Sequence, residues 1–215
     1  MLTVYGRKSS FNVQKVMWLV GELGLAYRHV ELGGGFGGLD DAGFMAMNPH
    51  GRVPVIDDGG TVVWESHAIL RYLAARYGAP AFWSQDAAER SHADRWMDWS
   101  QTVLQPDFLN GVFWGFYRTP EAQRNAARVK AKIAQTGRDL AMLDRLLEDR
   151  AYLLGEALSL ADITAGTALF RYFNIDIARP KLANVERWYE RLTARQAYRR
   201  HVMIPFDELY GRLDY

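Results

Sequence analysis

The sequence predicts an α/β domain followed by an all-α domain, and three observations carry that prediction. Residues 1–78 alternate short β-rich runs with helical stripes, whereas from residue 87 to the end no run reads as a strand. The texture changes across "YGAPAFWSQD", residues 77–86, where Gly, Pro and polar residues interrupt the pattern. Domains are therefore expected at 1–78 and 87–215, with a linker at 79–86. With 215 residues, 49% of them hydrophobic and 24% charged, each part has enough apolar surface for a core of its own.

The elements follow in order. "LTVY" (2–5) is a strand, and residues 12–24 form a helix with Val13, Val16, Met17, Leu19 and Val20 on one stripe, ending near glycine. "YRHVEL" (27–32) is a second strand, so the first three elements make a βαβ unit with parallel strands. "GGGFGG" (33–38) is a flexible loop. "VPVI" (53–56) and "TVVW" (61–64) flank "DDGG", whose Asp-Gly-Gly chemistry marks a hairpin. A helix over 66–77 follows, with Ser66 as its cap and Ile69, Leu70 and Leu73 facing inward.

In the second domain Met97, Val103 and Leu104 mark a helix that Pro106 is expected to kink or break. Val129, Ile133, Leu140, Leu143 and Leu147 keep helical spacing along one long helix opening after Pro120. "SLAD" (159–162) has the serine-x-x-acid form of a helix start, so Ser159 and Asp162 read as structural residues.

Composition narrows the function. Lys and Arg number 26 against 25 acidic residues, so no positive field is available to hold a nucleic acid or an anionic membrane. No apolar run approaches the ~18 residues of a membrane span, and the first residues read as a strand rather than a signal peptide. A cytoplasmic protein is expected. The absence of cysteine excludes disulfides, thiolate metal sites and a cysteine nucleophile, and the five histidines fall at no metal-ligand spacing, so no metal is expected. "GGGFGG" lacks the lysine and hydroxyl residue of a phosphate loop.

The residues that carry chemistry are "SSFNVQKV" (9–16), "NPHGRVPVI" (48–56), "WESHAILRYLA" (64–74) and "SLADIT" (159–164). In this order and spacing they resemble the cytosolic glutathione S-transferases, in particular theta-like and bacterial nu-like members, over essentially the whole chain. The resemblance implies that the first domain is thioredoxin-like and binds glutathione as co-substrate. It implies a cis bond before Pro54, which turns the Val53 N–H and C=O outward to pair with the cysteinyl unit as if adding a strand. It assigns Ser66, at a helix N-terminus, to the γ-glutamyl carboxylate, and Glu65 to the ammonium. Arg52 stands where relatives often carry a lysine near the glycyl carboxylate. Leu39 replaces a polar contact of theta-like relatives, which makes glycyl recognition less secure.

Such chemistry needs a thiolate. A free thiol has a pKa of ~8.5, and holding it ionised near neutrality takes roughly 2.7 kcal/mol. Counted back from "KVMWL", Ser10 matches the serine of theta-like enzymes. The pair Ser10 and Asn12 also resembles the threonine-x-asparagine of nu-like enzymes. Either or both are expected to donate a hydrogen bond to the sulfur, unless one merely caps the helix. With no cysteine in this turn, disulfide reduction would have to shuttle between two glutathiones.

By the same resemblance the aromatic segment 95–119 helps wall a pocket for a small hydrophobic electrophile, with Phe113, Trp114 and Tyr117 as candidates. Asp98 and Gln101 are candidates for a contact with a partner subunit's glutathione in a homodimer. The expected activity is conjugation of glutathione, as in detoxification. Two alternatives stand beside it: a glutathione-dependent disulfide or peroxide reductase, and a non-catalytic binding protein on the same fold.

Overall fold

The computed structural model describes residues 1–213. The chain packs into two compact units, Met1–Ser84 with Gln196–Ile204, and Gln85–Arg195 with Pro205–Leu213.

The first unit is thioredoxin-like. Strand β1 (Leu2–Tyr5) leads to helix α1 (Phe11–Glu22) and strand β2 (Tyr27–Val30). "GGGFGG" closes on itself through Gly33 N–H to Gly37 O at 2.8 Å, and a short helix α2 (Ala42–Met47) follows. The hairpin of β3 (Val55–Asp58) and β4 (Thr61–Trp64) turns on Gly59 and Gly60, at φ 63° and 96°. Positive φ at both turn positions matches the right-handed twist of the strands, which is why Gly-Gly serves there. Helix α3 (Ser66–Tyr77) completes the unit. The sheet order is β2-β1-β3-β4, with β2 parallel to β1 and the others antiparallel. Val4, Val13, Val16, Leu19, Ile56, Ile69 and Leu73, all 0% exposed, fill the core between the sheet and the helices. At the hairpin end, buried Asp58 accepts from the Tyr72 and Tyr77 hydroxyls at 2.9 and 2.7 Å and pairs with Arg76 at 3.0 Å, tying the hairpin to α3.

The second unit is helical. Helix α4 (Ala87–Trp99) opens on the Asp86 carboxylate, which accepts from the Ala88 and Glu89 N–H groups. It runs on without interruption into a π-type helical segment, Ser100–Arg118, that contains Pro106. Pro106 therefore does not break the helix. The wider turn accommodates the missing N–H. Helix α5 (Ala126–Leu146) begins at Asn125 rather than directly after Pro120, because a 3-10 turn (Glu121–Gln123) comes first and the Asn125 side chain supplies the cap at 2.9 Å. Helices α6 (Leu160–Phe173) and α7 (Ala183–Ala194) follow, with Ile163, Leu169 and Trp188 wholly buried. Asp162 is wholly buried at the start of α6. Its Oδ2 accepts from Ser159 N–H and hydroxyl, and its Oδ1 from Leu153 N–H and Trp188 Nε1. No described helix is long and apolar enough to cross a membrane.

The last helix, α8 (Gln196–His201), belongs to the first unit. Tyr198 meets fully buried Trp18 of α1 edge-on at 4.7 Å.

Candidate active site

The strand registers assemble the site. Tyr5 pairs with Val55 and Val55 with Trp64, so the C-terminal ends of β1 and β4 and the N-terminal end of β3 share one end of the sheet. Residues 6–10, Val53-Pro54 and Glu65-Ser66 all leave the sheet at that end. Gly6, at φ 138°, makes the approach possible: a Cβ there would lie 2.8 Å from the Cβ of Val53 and 2.5 Å from Cγ2 of Val13. The Val53-Pro54 bond is cis. Sheet pairing begins at Val55, which leaves the Val53 backbone outside the ladder.

Ser10 occupies the N-cap position of α1 in extended geometry, yet its hydroxyl makes no capping bond, and the residue is 7% exposed. One turn of helix carries Asn12, whose Oδ1 is buried with no hydrogen-bond partner. A half-turn of that terminal amide exchanges the unpaired acceptor for a donor.

At α3 the expected cap is corrected. Ser66 is the first helical residue, and Glu65 is the cap, at φ 67° and ψ 118°. Glu65 is the sole non-glycine residue at positive φ among the described residues. Such a conformation costs about 1–3 kcal/mol and persists where the surroundings over-determine it. Ser66 is buried and Glu65 exposed.

Beneath these groups lies a pair that sequence reasoning missed. Lys15 of α1 is fully buried, its Nζ 3.1 Å from Nε2 of His67 and 4.8 Å over the ring of Phe11. Burial pulls the Lys15 ammonium down to about 7, with the Glu65 carboxylate opposing that fall. Burial first, then the charges of Lys15 and Arg71, hold His67 down to about 2, so its ring is neutral near pH 7. Protonated Lys15 donates to Nε2 and places the ring proton on Nδ1, which is buried without a partner. The signal was present in "VQKVMWLV", where a lysine interrupts a run buried on every side from Val13 to Val20.

One end of the sheet thus gathers two helix N-termini, two buried serines, an unpaired carboxamide and an exposed carboxylate. Helix N-termini and hydroxyls suit anions and a carboxylate suits an ammonium, so the set fits a small zwitterion with a second anionic centre.

Comparison with known proteins gives that arrangement its context. The glutathione S-transferase N-terminal domain model matches residues 4–81, and the C-terminal domain model matches residues 107–196. The chain belongs to the glutathione S-transferase family. It is 38% identical over 207 residues to the glutathione S-transferase GstB of Escherichia coli, covering 95% of this chain and 99% of the relative. Mouse glutathione S-transferase theta-1 is 35% identical over 170 residues, 73% of this chain and 67% of its own length. The crystal structure of the theta class glutathione S-transferase from Xanthomonas axonopodis pv. citri, with glutathione bound, superposes with a TM-score of 0.89 at 45% identity, covering 95% of this chain and 98% of that one.

Within the family fold, Ser10, Asn12, Val53, Pro54, Glu65 and Ser66 meet at the sheet end just described. Arg52 is exposed beside Val53, in a turn braced by Asn48, whose Nδ2 donates to the Arg52 carbonyl at 2.8 Å. The other candidates lie in the helical unit. Phe113 is 0% exposed, stacked on Tyr117 at 5.2 Å and edge-on to Phe206 at 5.5 Å, which makes it a core residue of that unit. Trp114 lines a cavity of about 250 Å³ with Asn110, Thr119 and Arg128. Tyr117 is half-buried among Phe113, Phe206 and Tyr210. Asp98 and Gln101 are exposed.

Proposed function

We propose that this chain is a glutathione transferase that ionises the glutathione thiol and joins it to a small hydrophobic electrophile. The observation that carries the reading is the unspent polarity at the N-terminus of α1: a Ser10 hydroxyl that caps nothing and a buried Asn12 Oδ1 with no partner. Buried polar atoms are nearly always satisfied, and such exceptions are what a ligand would complete.

In this reading the γ-glutamyl carboxylate sits at the α3 N-terminus on Ser66, its ammonium on Glu65, and the cysteinyl unit against the free backbone of Val53. Arg52 faces the glycyl carboxylate. The thiol releases its proton to water. Ser10, joined by Asn12, donates to the resulting thiolate within the positive end of the α1 dipole. The thiolate forms a carbon–sulfur bond with the electrophile and expels its leaving group with the electron pair. Rate comes from the thiolate population and from proximity. Trp114 and Tyr117 are the proposed contacts for the electrophile, and Phe113 supports them from the core. The protein acts as a cytoplasmic homodimer in detoxification, with Asp98 and Gln101 at the partner.

Turnover of a chloro-nitroaromatic with glutathione tests this directly. Saturable conjugation in the wild type, lost in Ser10→Ala, is expected, and its absence with millimolar glutathione would sink the proposal.

The Ser10-x-Asn12 pair favours a second activity on the same site. There two glutathiones reduce a hydroperoxide to an alcohol and water, leaving the glutathione disulfide. Asn12→Ala is expected to lower peroxide turnover more than conjugation.

A further inference from the structure

The edge of the first unit at β2 holds a cavity of about 420 Å³ that the proposed chemistry does not use. It is lined by Lys8, Gln14 and Met17 at the start of α1, by Tyr27 and His29 on β2, and by Arg200, His201 and Ile204 around the end of α8. Two of its polar members, Lys8 and Arg200, are cations that only donate. His201 is 8% exposed, and its imidazole has no hydrogen-bond partner among the described residues, only an edge contact with the Tyr27 ring at 6.3 Å. His29 is already committed: Nε2 must be the donor in its 2.6 Å contact with the Gly6 carbonyl, which leaves Nδ1 facing Glu31 at 3.9 Å. Glu31 is the acidic group that faces this wall, 3.5 Å from Lys8 Nζ. Burial, then Arg200, His29 and Lys8, depress His201 to about 4, so the imidazole already feels a positive surround.

We propose that this cavity binds a phosphate monoester carrying a small ring. A phosphoryl dianion presents three oxygens, and the wall supplies a guanidinium, an ammonium that Glu31 shares, and an unpartnered imidazole. Arg200 takes the oxygens as a planar fork, Lys8 as a point charge, and His201 as a donor. A phosphoryl group alone leaves much of 420 Å³ empty. Met17, Ile204 and the Tyr27 ring give the remaining space an apolar lining on which a ring packs.

Calorimetry with phenyl phosphate, inorganic phosphate and phenol, paired with NMR of the histidine side chains, tests the site. The expected result is saturable phenyl phosphate binding at millimolar concentration or below, weaker binding of either fragment, and a rise in the pH at which His201 titrates. Arg200→Gln and Lys8→Gln change exposed side chains and leave glutathione conjugation at its wild-type rate. Arg200→Gln should weaken binding at least about tenfold. No saturable binding, equal binding by Arg200→Gln, an unmoved His201, or displacement by glutathione would each overturn the proposal. The last would place the ligand at the thiol site instead. Failure of conjugation in the wild type would leave this test intact, since its readout needs no turnover.

Discussion

Two buried polar clusters, one in each unit, are handled in opposite ways. In the helical unit Asp162 is wholly buried and every oxygen is engaged, by Ser159, Leu153 and Trp188. In the thioredoxin-like unit Ser10 and His67 are buried and Asn12 half-buried, but Ser10 caps nothing, and the buried Asn12 Oδ1 and His67 Nδ1 lack partners. Beside them Glu65 holds a left-handed conformation. A satisfied network fixes a fold, whereas an unsatisfied one is costly unless something else completes it. Thr136 Oγ1 and Asp139 Oδ2 of the helical unit also lack partners, so an unpaired atom alone does not mark a ligand site; what sets Ser10 and Asn12 apart is their place at the N-terminus of α1.

The largest effect is expected where the network is complete. Asp162→Ala leaves the Leu153 and Ser159 amides and the Trp188 indole without their acceptor and should cost about 4 kcal/mol in urea unfolding. The same carboxyl is pushed up to about 6 by burial, against its hydrogen bonds. A raised carboxyl pKa means the folded state holds more protons, so this group's contribution falls as pH rises from about 4 to 6. A loss near the noise of the melt would show the cluster to be dispensable.

Lys15 gives the opposite slope. Its folded value of about 7 lies below the ordinary 10.5, so the unfolded state binds more protons between those limits and stability rises with pH through that window. Lys15→Met should abolish the slope and gain about 3 kcal/mol at pH 6. A slope that survives the substitution would detach it from Lys15.

Smaller effects belong to the ligand side. Ser10→Ala should lower kcat about 100-fold, the scale of one donor to a developing anion, with the melting temperature little changed. A large loss of stability with intact kcat would make Ser10 structural. Glu65→Gln, which keeps the shape and removes the charge, should raise the KM for glutathione about tenfold with kcat retained. An unchanged KM would remove the ammonium from Glu65.

Much of this was legible from pattern. The hairpin around Gly59-Gly60, the order of strands and helices in the first unit, and the serine-x-x-acid start at Ser159 follow from local propensities, and those are strong in these segments. The sequence reading sets the α3 cap at Ser66, one position too late, because a glutamate at positive φ violates the local rule and only the packed neighbourhood enforces it. Pro106 was expected to interrupt its helix, since the π-type turn that tolerates it is not a propensity of any residue. The return of Gln196–Ile204 to the first unit, and the Lys15–His67 contact across 52 positions, are tertiary facts without a local signature. The site residues themselves were nominated by resemblance. What the sequence could not show was which of their polar atoms stay unpaired.

The central claim is most directly tested by titrating the thiol of bound glutathione, followed by its thiolate absorbance. In the wild type the thiol should ionise well below the free value of ~8.5, and in the Ser10→Ala, Asn12→Ala double variant it should return close to that value. A bound thiol that titrates near ~8.5 in the wild type, or stays depressed in the double variant, would contradict the account.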